Sequence, residues 1–337
     1  MSQHKFNKRS VGQTALKITE LGFGAATIAG NFKAVAPEDA RNTVSHALDL
    51  GINYVDTAPQ YGYGRSEHMV GDVVRERRDE VVLATKVGRL LKPAFNDVRT
   101  LPHNWANPLP FDQHYEYTYD AVMRSFEDSL QRMGVNRIDI LYVHDIGVMT
   151  HGVEGNKPLW KQLETGGYKA LRELRDSGVV SAIGFGVNEW EVLMDALDLG
   201  DWDVFLLAGR YTLLEQTSLS PFLEKCLARK TSVVAAAPFN GGALMGSGTW
   251  NYGKAPDHII SRVAELEAIC KEFNVPIGAA ALQFPLTHPA VCSVLTGPKS
   301  VSELDGVVAW WNTPIPNEFW TALVDRGLVA QGTPLPQ

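Results

Sequence analysis

The chain has 337 residues, 45% hydrophobic and 20% charged, with a formal net charge of −7. That is globular composition with apolar residues enough for a large core. The acidic balance excludes the basic patch of a nucleic-acid binder, offers nothing to an anionic membrane surface, and no apolar run reaches the ~18 residues of a membrane helix.

The opening MSQHKFNKRS has no apolar segment of the kind a signal peptide needs. Arg9 to Ile18, with Gly12–Gln13 between two short stretches, predicts a hairpin that plugs one end of a larger fold. Eight short apolar runs follow: LGFG (21–24), NYVDT (53–57), VVLATKV (81–87), IDILYVH (138–144), VVSAIGFG (179–186), DVFLLAG (203–209), SVVAAA (232–237) and VCSVLTG (291–297). Their Val, Ile, Leu and Ala, without strict alternation, suit parallel strands buried on both faces.

Helix-like segments lie between them. PEDARNTVSHALDLG opens on Pro and acids and stops at Gly51, DAVMRSFEDSLQRMG stops at Gly134, and KALRELRDSG stops at Gly178. HIISRVAELEAICKEFN and PIGAAALQF add two more. The alternation predicts a closed (β/α)8 TIM barrel with an N-terminal β-hairpin, as one domain over residues 1–337. A doubly wound open sheet uses the same units, but no GxGxxG follows an early strand.

Residues 88–117 read as a long irregular loop carrying Phe95, Trp105, Phe111, His114 and Tyr115. It is either a self-packed surface loop or an aromatic lid over a site, with Trp105 and Tyr115 as candidate substrate contacts. The tryptophans of AWWNTPIPNEFWTALVDRG read as a second wall or as packing. Cys226, Cys270 and Cys292 form no CxxC pair and no disulfide framework, the pattern of a reduced, cytoplasmic protein.

In such a barrel the chemistry sits at the C-terminal ends of the strands. Asp56, Lys86 and His144 end the second, third and fourth runs, and Tyr61 follows Asp56 in a Pro/Gly-rich loop. A generic charged rim would show some of this. The set also makes chemical sense together. A phenol titrates near ~10, a neighbouring ammonium lowers that value, an acid holds the ammonium, and an imidazole orients an oxygen. Such a phenol gives or takes a proton at a carbonyl/alcohol pair. GxSxG, HExxH and CxxC are absent, so no metal site is predicted, and the set fits hydride exchange with a bound cofactor. APFNGGALMG (237–246) and TGPKSVSEL (296–304) follow the seventh and eighth runs, where this barrel binds phosphate. Taken alone, NGG also reads as a plain turn.

DTAPQYGYGRSEHMVG, ATKVG and IDILYVHD resemble the aldo-keto reductases, and the likeness runs from LGFGAATI to GPKSVSEL. It implies a catalytic tetrad of Asp56, Tyr61, Lys86 and His144, with Tyr61 transferring the proton, and an NAD or NADP cofactor across the barrel mouth. Tyr211 in GRYTLL matches the residue that stacks on the nicotinamide. Phe239, Asn240, Gly241, Gly242 and Leu244, with Gly297, Lys299 and Ser300, match the phosphate loops. The fifth strand departs from the family's Gly-Val-Ser-Asn: it reads GFGVNEW, leaving Asn188 shifted by one residue as the carboxamide partner. KSVSELDG places Glu303 and Asp305 where NADPH-using members have an Arg. An acid there repels a 2′-phosphate and accepts from a free 2′-hydroxyl, which favours NAD.

IGFGVNEWE and AAAPFNGGAL look most like the branch that oxidises cyclic hemiacetals, L-fucose, D-threo-aldoses or pyridoxal, to lactones. An NADPH-dependent aldehyde or ketone reductase is the second reading, and a non-catalytic redox-sensing subunit the third, against which the complete tetrad stands. The expected partner is a small molecule, with no nucleic acid and no membrane; the sequence leaves the oligomeric state open.

Overall fold

The computed structural model describes residues 6–95 and 105–335. Strands β1 (Lys8–Ser10) and β2 (Lys17–Thr19) pair antiparallel, with Arg9 opposite Ile18. This is the predicted hairpin, and it closes the N-terminal end of a barrel. Gly12 N–H donates to Ser232 Oγ at 2.8 Å, and the Arg9 guanidinium donates to the Leu286 and Val291 carbonyls at 3.1 and 2.8 Å.

The remaining strands are β3 (Leu21–Gly24), β4 (Tyr54–Asp56), β5 (Val82–Val87), β6 (Arg89–Pro93), β7 (Phe111–Tyr115), β8 (Ile140–His144), β9 (Ala182–Val187), β10 (Val204–Ala208), β11 (Ser232–Ala236), β12 (Thr249–Trp250), β13 (Gly253–Lys254) and β14 (Val291–Thr296). Strands β3, β4, β5, β8, β9, β10, β11 and β14 are parallel neighbours and close into a barrel, β14 pairing back onto β3. All eight predicted runs supply them. The helices are α1 (Pro37–Asp49), α2 (Arg65–Val74), α3 (Tyr119–Met133), α4 (Val148–Gln162), α5 (Tyr168–Asp176), α6 (Glu191–Leu199), α7 (Glu224–Arg229), α8 (Asp257–Glu272), α9 (Ile277–Gln283), α10 (Val301–Trp311) and α11 (Asn317–Asp325). Their ends follow local chemistry. The Thr118 side chain accepts from Ala121 N–H at the start of α3, and Gly134, at φ 64°, ends it.

Two apolar layers form. One lies between strands and helices, and its buried aliphatics each contribute roughly 1.5–3 kcal/mol. The other fills the barrel itself, where Tyr54, Tyr142, Ile140 and Val234 meet Val11 and Ile18 of the hairpin. Glycines make room for the two tyrosines: a Cβ on Gly22 would lie 2.6 Å from the Tyr54 ring.

One expectation changes and one open reading narrows. Residues 88–117 are not irregular throughout: β6 and β7 form an antiparallel pair, Arg89 opposite Tyr115. The alternating burial of Phe-Asp-Gln-His-Tyr is a strand period hidden among prolines and glycines. Residues 96–104 of that expected loop, and residues 1–5, lie outside the described residues. The tail tryptophans are packing: Trp320 is 1% exposed in the core, and Trp310 lies edge-on to Phe239 with ring centres 6.0 Å apart. The three cysteines are buried and free, and no helix among the described residues is long and apolar enough to cross a membrane.

Candidate active site

Parallel register brings the strand-end residues to one mouth. Asp56 aligns with Ala84, Lys86 with Tyr142, and His144 with Gly186. Lys86 Nζ donates to both Asp56 carboxylate oxygens, at 2.8 and 2.6 Å, and to the Thr57 carbonyl at 2.8 Å. The ammonium lies 4.8 Å from the centre of the Tyr61 ring, and the Tyr61 and His144 rings meet edge to face at 5.8 Å. All four residues predicted as a tetrad are therefore together. A Cβ on Gly186 would lie 3.1 Å from Lys86 Cε, so the small residue keeps the lysine's channel open.

Burial governs the electrostatics. It pushes the Asp56 carboxyl up and the Lys86 amine down, each opposed by the partner's charge. Burial also pushes the Tyr61 phenol well above its ordinary range, Asp56 and Asp145 add to this, and Arg89 opposes it. This corrects the expectation of a phenol lowered by its ammonium neighbour: desolvation outweighs that attraction.

Tyr61, Lys86 and His144 line a cavity of about 520 Å³. Trp105 and Tyr115, the two expected substrate contacts, line it as well, Trp105 packing on Tyr61 at 5.9 Å. Of the other aromatics in that region, Phe95 is exposed, Phe111 packs beside Trp105, and the exposed His114 lies 3.8 Å from Glu116. Sequence reasoning missed Gln60, Asn31, Asp145 and Tyr252, all cavity-lining. Gln60 is only 4% exposed and its amide faces the cavity lining. Asn31 Oδ1 and Trp105 Nε1 are buried and unpartnered among the described residues. A Gln next to the predicted Tyr61 was a usable signal; Asn31 was not, because only its bridge pairing with Trp105 brings it here.

The expected cofactor residues divide. Asn188 lines the cavity, donates to Asp145 Oδ1 at 3.1 Å and accepts from the Tyr252 hydroxyl at 3.2 Å. Tyr211 is 1% exposed, its ring 5.5 Å from that of Phe284 and 5.7 Å from His288, and it is not among the cavity-lining side chains. Asn240, Gly241 and Gly242 take three successive left-handed φ angles, 50°, 65° and 96°, which explains the two glycines as a turn. The Asn240 amide is occupied, donating to the Gly209 carbonyl at 3.1 Å and accepting from Thr212 Oγ at 2.7 Å. Leu244 is buried in the core, and Phe239 is half-buried against Trp310. After β14, Gly297 sits so tightly that a Cβ would lie 3.1 Å from Thr27. Ser300 caps α10 by accepting from Glu303 N–H at 3.2 Å, while Glu303 accepts from Lys299 N–H at 3.0 Å and lies 3.3 Å from its ammonium. That is a capping arrangement. It gives Glu303 a local structural role, and Asp305 pairs with His46 at 2.7 Å.

The barrel, the tetrad geometry and a sequence profile described as the Aldo/keto reductase family, matching residues 20–325, agree: the chain belongs to the aldo-keto reductases, a family of oxidoreductases. It is 44% identical to a pyridoxal 4-dehydrogenase of Microbacterium luteolum, over 96% of this chain and 98% of that one. A D-threo-aldose 1-dehydrogenase of Pseudomonas sp is 35% identical, over 93% and 95%. Among solved structures, an aldo-keto reductase from Bacillus halodurans shares the fold at a TM-score of 0.73 and 23% identity, covering 98% of both chains.

Proposed function

We propose that this protein oxidises a cyclic hemiacetal, pyridoxal foremost, to its lactone, with NAD as hydride acceptor. The observation that carries the reading is the Tyr61 phenol lining the cavity 4.8 Å (ring centre) from an ammonium that Asp56 holds. Similarity to the pyridoxal and D-threo-aldose dehydrogenases supports the substrate class. A nicotinamide dinucleotide, when bound, supplies the ring carbon that receives hydride. The donor set suits such a group: the Asn188 amide lines the same cavity as Tyr61, and Lys299 and Ser300 lie at the start of α10, where a phosphate gains most from helix N–H groups.

In the oxidising direction Tyr61 takes the hydroxyl proton of the hemiacetal as general base. Burial raises the phenol, and Lys86, 4.8 Å from the ring centre, works against that rise by favouring the phenolate that takes the proton; Asp56 fixes Lys86 in place. His144 orients the reacting oxygen. Trp105 and Tyr115 wall the ring, and Gln60, Asn31 Oδ1 and Trp105 N–H offer a donor and acceptors to its substituents. The preference for NAD rests on the acids Glu303 and Asp305 near the expected ribose, although both also serve local pairs.

Reduced-nicotinamide absorbance tests the proposal. Purified protein is mixed with NAD⁺ or NADP⁺ and offered pyridoxal, L-fucose, D-arabinose and D-galactose separately. Turnover with NAD⁺ on one of them is expected. Oxidation of none, with NADPH consumed by simple aldehydes, would replace this reading with that of an ordinary reductase.

A further inference from the structure

Asp145 follows His144 directly and adopts a left-handed φ of 41°, a conformation that few residues with a side chain accept and that Asp and Asn tolerate better than most. The turn is held from several sides. Asp145 N–H donates to the Gly186 carbonyl at 3.0 Å, Asp145 Oδ1 accepts from Asn188 Nδ2 at 3.1 Å, and Asp145 Oδ2 pairs with Arg89 Nη2. The same Oδ2 lies 3.5 Å from His144 Nε2.

Arg89 has no exposed side-chain surface. It comes from β6, its guanidinium carbon is 5.1 Å from the centre of the Tyr115 ring, and its Nε is buried without a partner among the described residues. A guanidinium keeps its proton in a protein, and burying one without a counter-charge is costly. Asp145 is the partner that the buried Arg89 has, and it lies beside the imidazole. A negative charge at one ring nitrogen favours the tautomer protonated there.

We infer that Asp145, locked by Arg89, is a positioning residue: it keeps the His144 proton on Nε2 and, through Asn188, ties the cofactor side of the cavity to the Tyr115 wall. The role of His144 as the group orienting the substrate oxygen rests on the function proposed above. The tautomer does not.

Nitrogen-15 NMR of the imidazole reads the tautomer in the wild-type protein without any substrate. A proton on Nε2 of His144 is expected; a proton on Nδ1 overturns the inference. Asp145→Asn keeps the size and one acceptor for Asn188 but removes the charge. In folded Asp145→Asn the Nε2–H population falls, and kcat for pyridoxal drops by about 10²-fold, the scale of a displaced catalytic group, while KM moves little. Arg89→Lys retains more turnover than Arg89→Met. Asp145→Asn with wild-type tautomer and kcat sinks the inference; if that variant does not fold, the wild-type tautomer and the Arg89 pair decide. A wild type that oxidises no hemiacetal, yet loses Nε2–H in Asp145→Asn, sinks the functional reading and leaves the positioning role standing.

Discussion

Lys86 grips Asp56 with its ammonium on both carboxylate oxygens, at 2.8 and 2.6 Å, and each residue is only 1% exposed. Breaking such a pair from one side leaves a buried charge without its partner, at a cost of about 3–5 kcal/mol. Asp56→Asn and Lys86→Met are each expected to lose stability on that scale as well as turnover. Urea denaturation and single-turnover kinetics, run side by side, check both; an Asp56→Asn protein as stable as wild type would contradict the geometry.

Tyr61 supplies the sharpest test of the chemistry. Tyr61→Phe removes one oxygen and keeps the ring that packs on Trp105. Turnover is expected to fall by roughly 10²–10⁴-fold, the usual share of a general acid–base group, with NAD affinity unchanged. Full turnover in this variant would end the assignment of Tyr61 as the base.

The pH dependence of stability follows from three phenols. Tyr54, Tyr61 and Tyr142 are all raised above the ordinary value of 10.0, in each case mainly by burial. The folded state thus holds these protons more tightly than the unfolded chain. Their contribution is complete below pH 10.0 and is lost as pH climbs from there through the folded-state values. Melting temperature measured from neutral to strongly alkaline pH should fall in that upper window, together with a cooperative rise in tyrosinate absorbance. Tyrosinate absorbance that titrates at the ordinary phenol pH without unfolding would show these rings to be solvated.

Gln60 and Asn31 predict a split between binding and folding. Both line the cavity, and Asn31 Oδ1 is buried there without a partner among the described residues. Gln60→Ala and Asn31→Ala should each raise KM for the true substrate about fivefold, the loss of one hydrogen bond of ~1 kcal/mol, with little change in melting temperature. Trp105→Phe, which deletes the indole N–H and keeps an aromatic face, should do the same. A lowered melting temperature with unchanged KM would mark these groups as structural.

Glu303 separates two readings of one acid. Glu303→Gln should cost α10 only a few tenths of a kcal/mol, because the Ser300 cap remains. If the carboxylate also repels a 2′-phosphate, NADP affinity rises about tenfold, a change of ~1.4 kcal/mol. Dissociation constants for NAD and NADP in the variant decide; a ratio equal to that of wild type confines Glu303 to the helix cap.

Local repetition is written into the chain directly. Eight apolar runs followed by capped amphipathic stretches specify parallel strands and crossover helices, and residues at strand ends are placed by that topology alone. Asp56, Lys86 and His144 were legible for this reason, and Tyr61 through its spacing from Asp56. The tertiary structure decided everything that depends on which loops meet. It showed β6 and β7 as a strand pair, brought Asn31 to Trp105 from far away in sequence, and set Tyr211 against Phe284. It also paired the two expected ribose acids with Lys299 and His46, and raised the Tyr61 phenol where pairwise charge alone suggested lowering. The reason is physical. Periodicity and end signals are encoded within a few residues of each other, whereas burial, desolvation and the pairing of side chains far apart in sequence exist only once the chain has closed on itself.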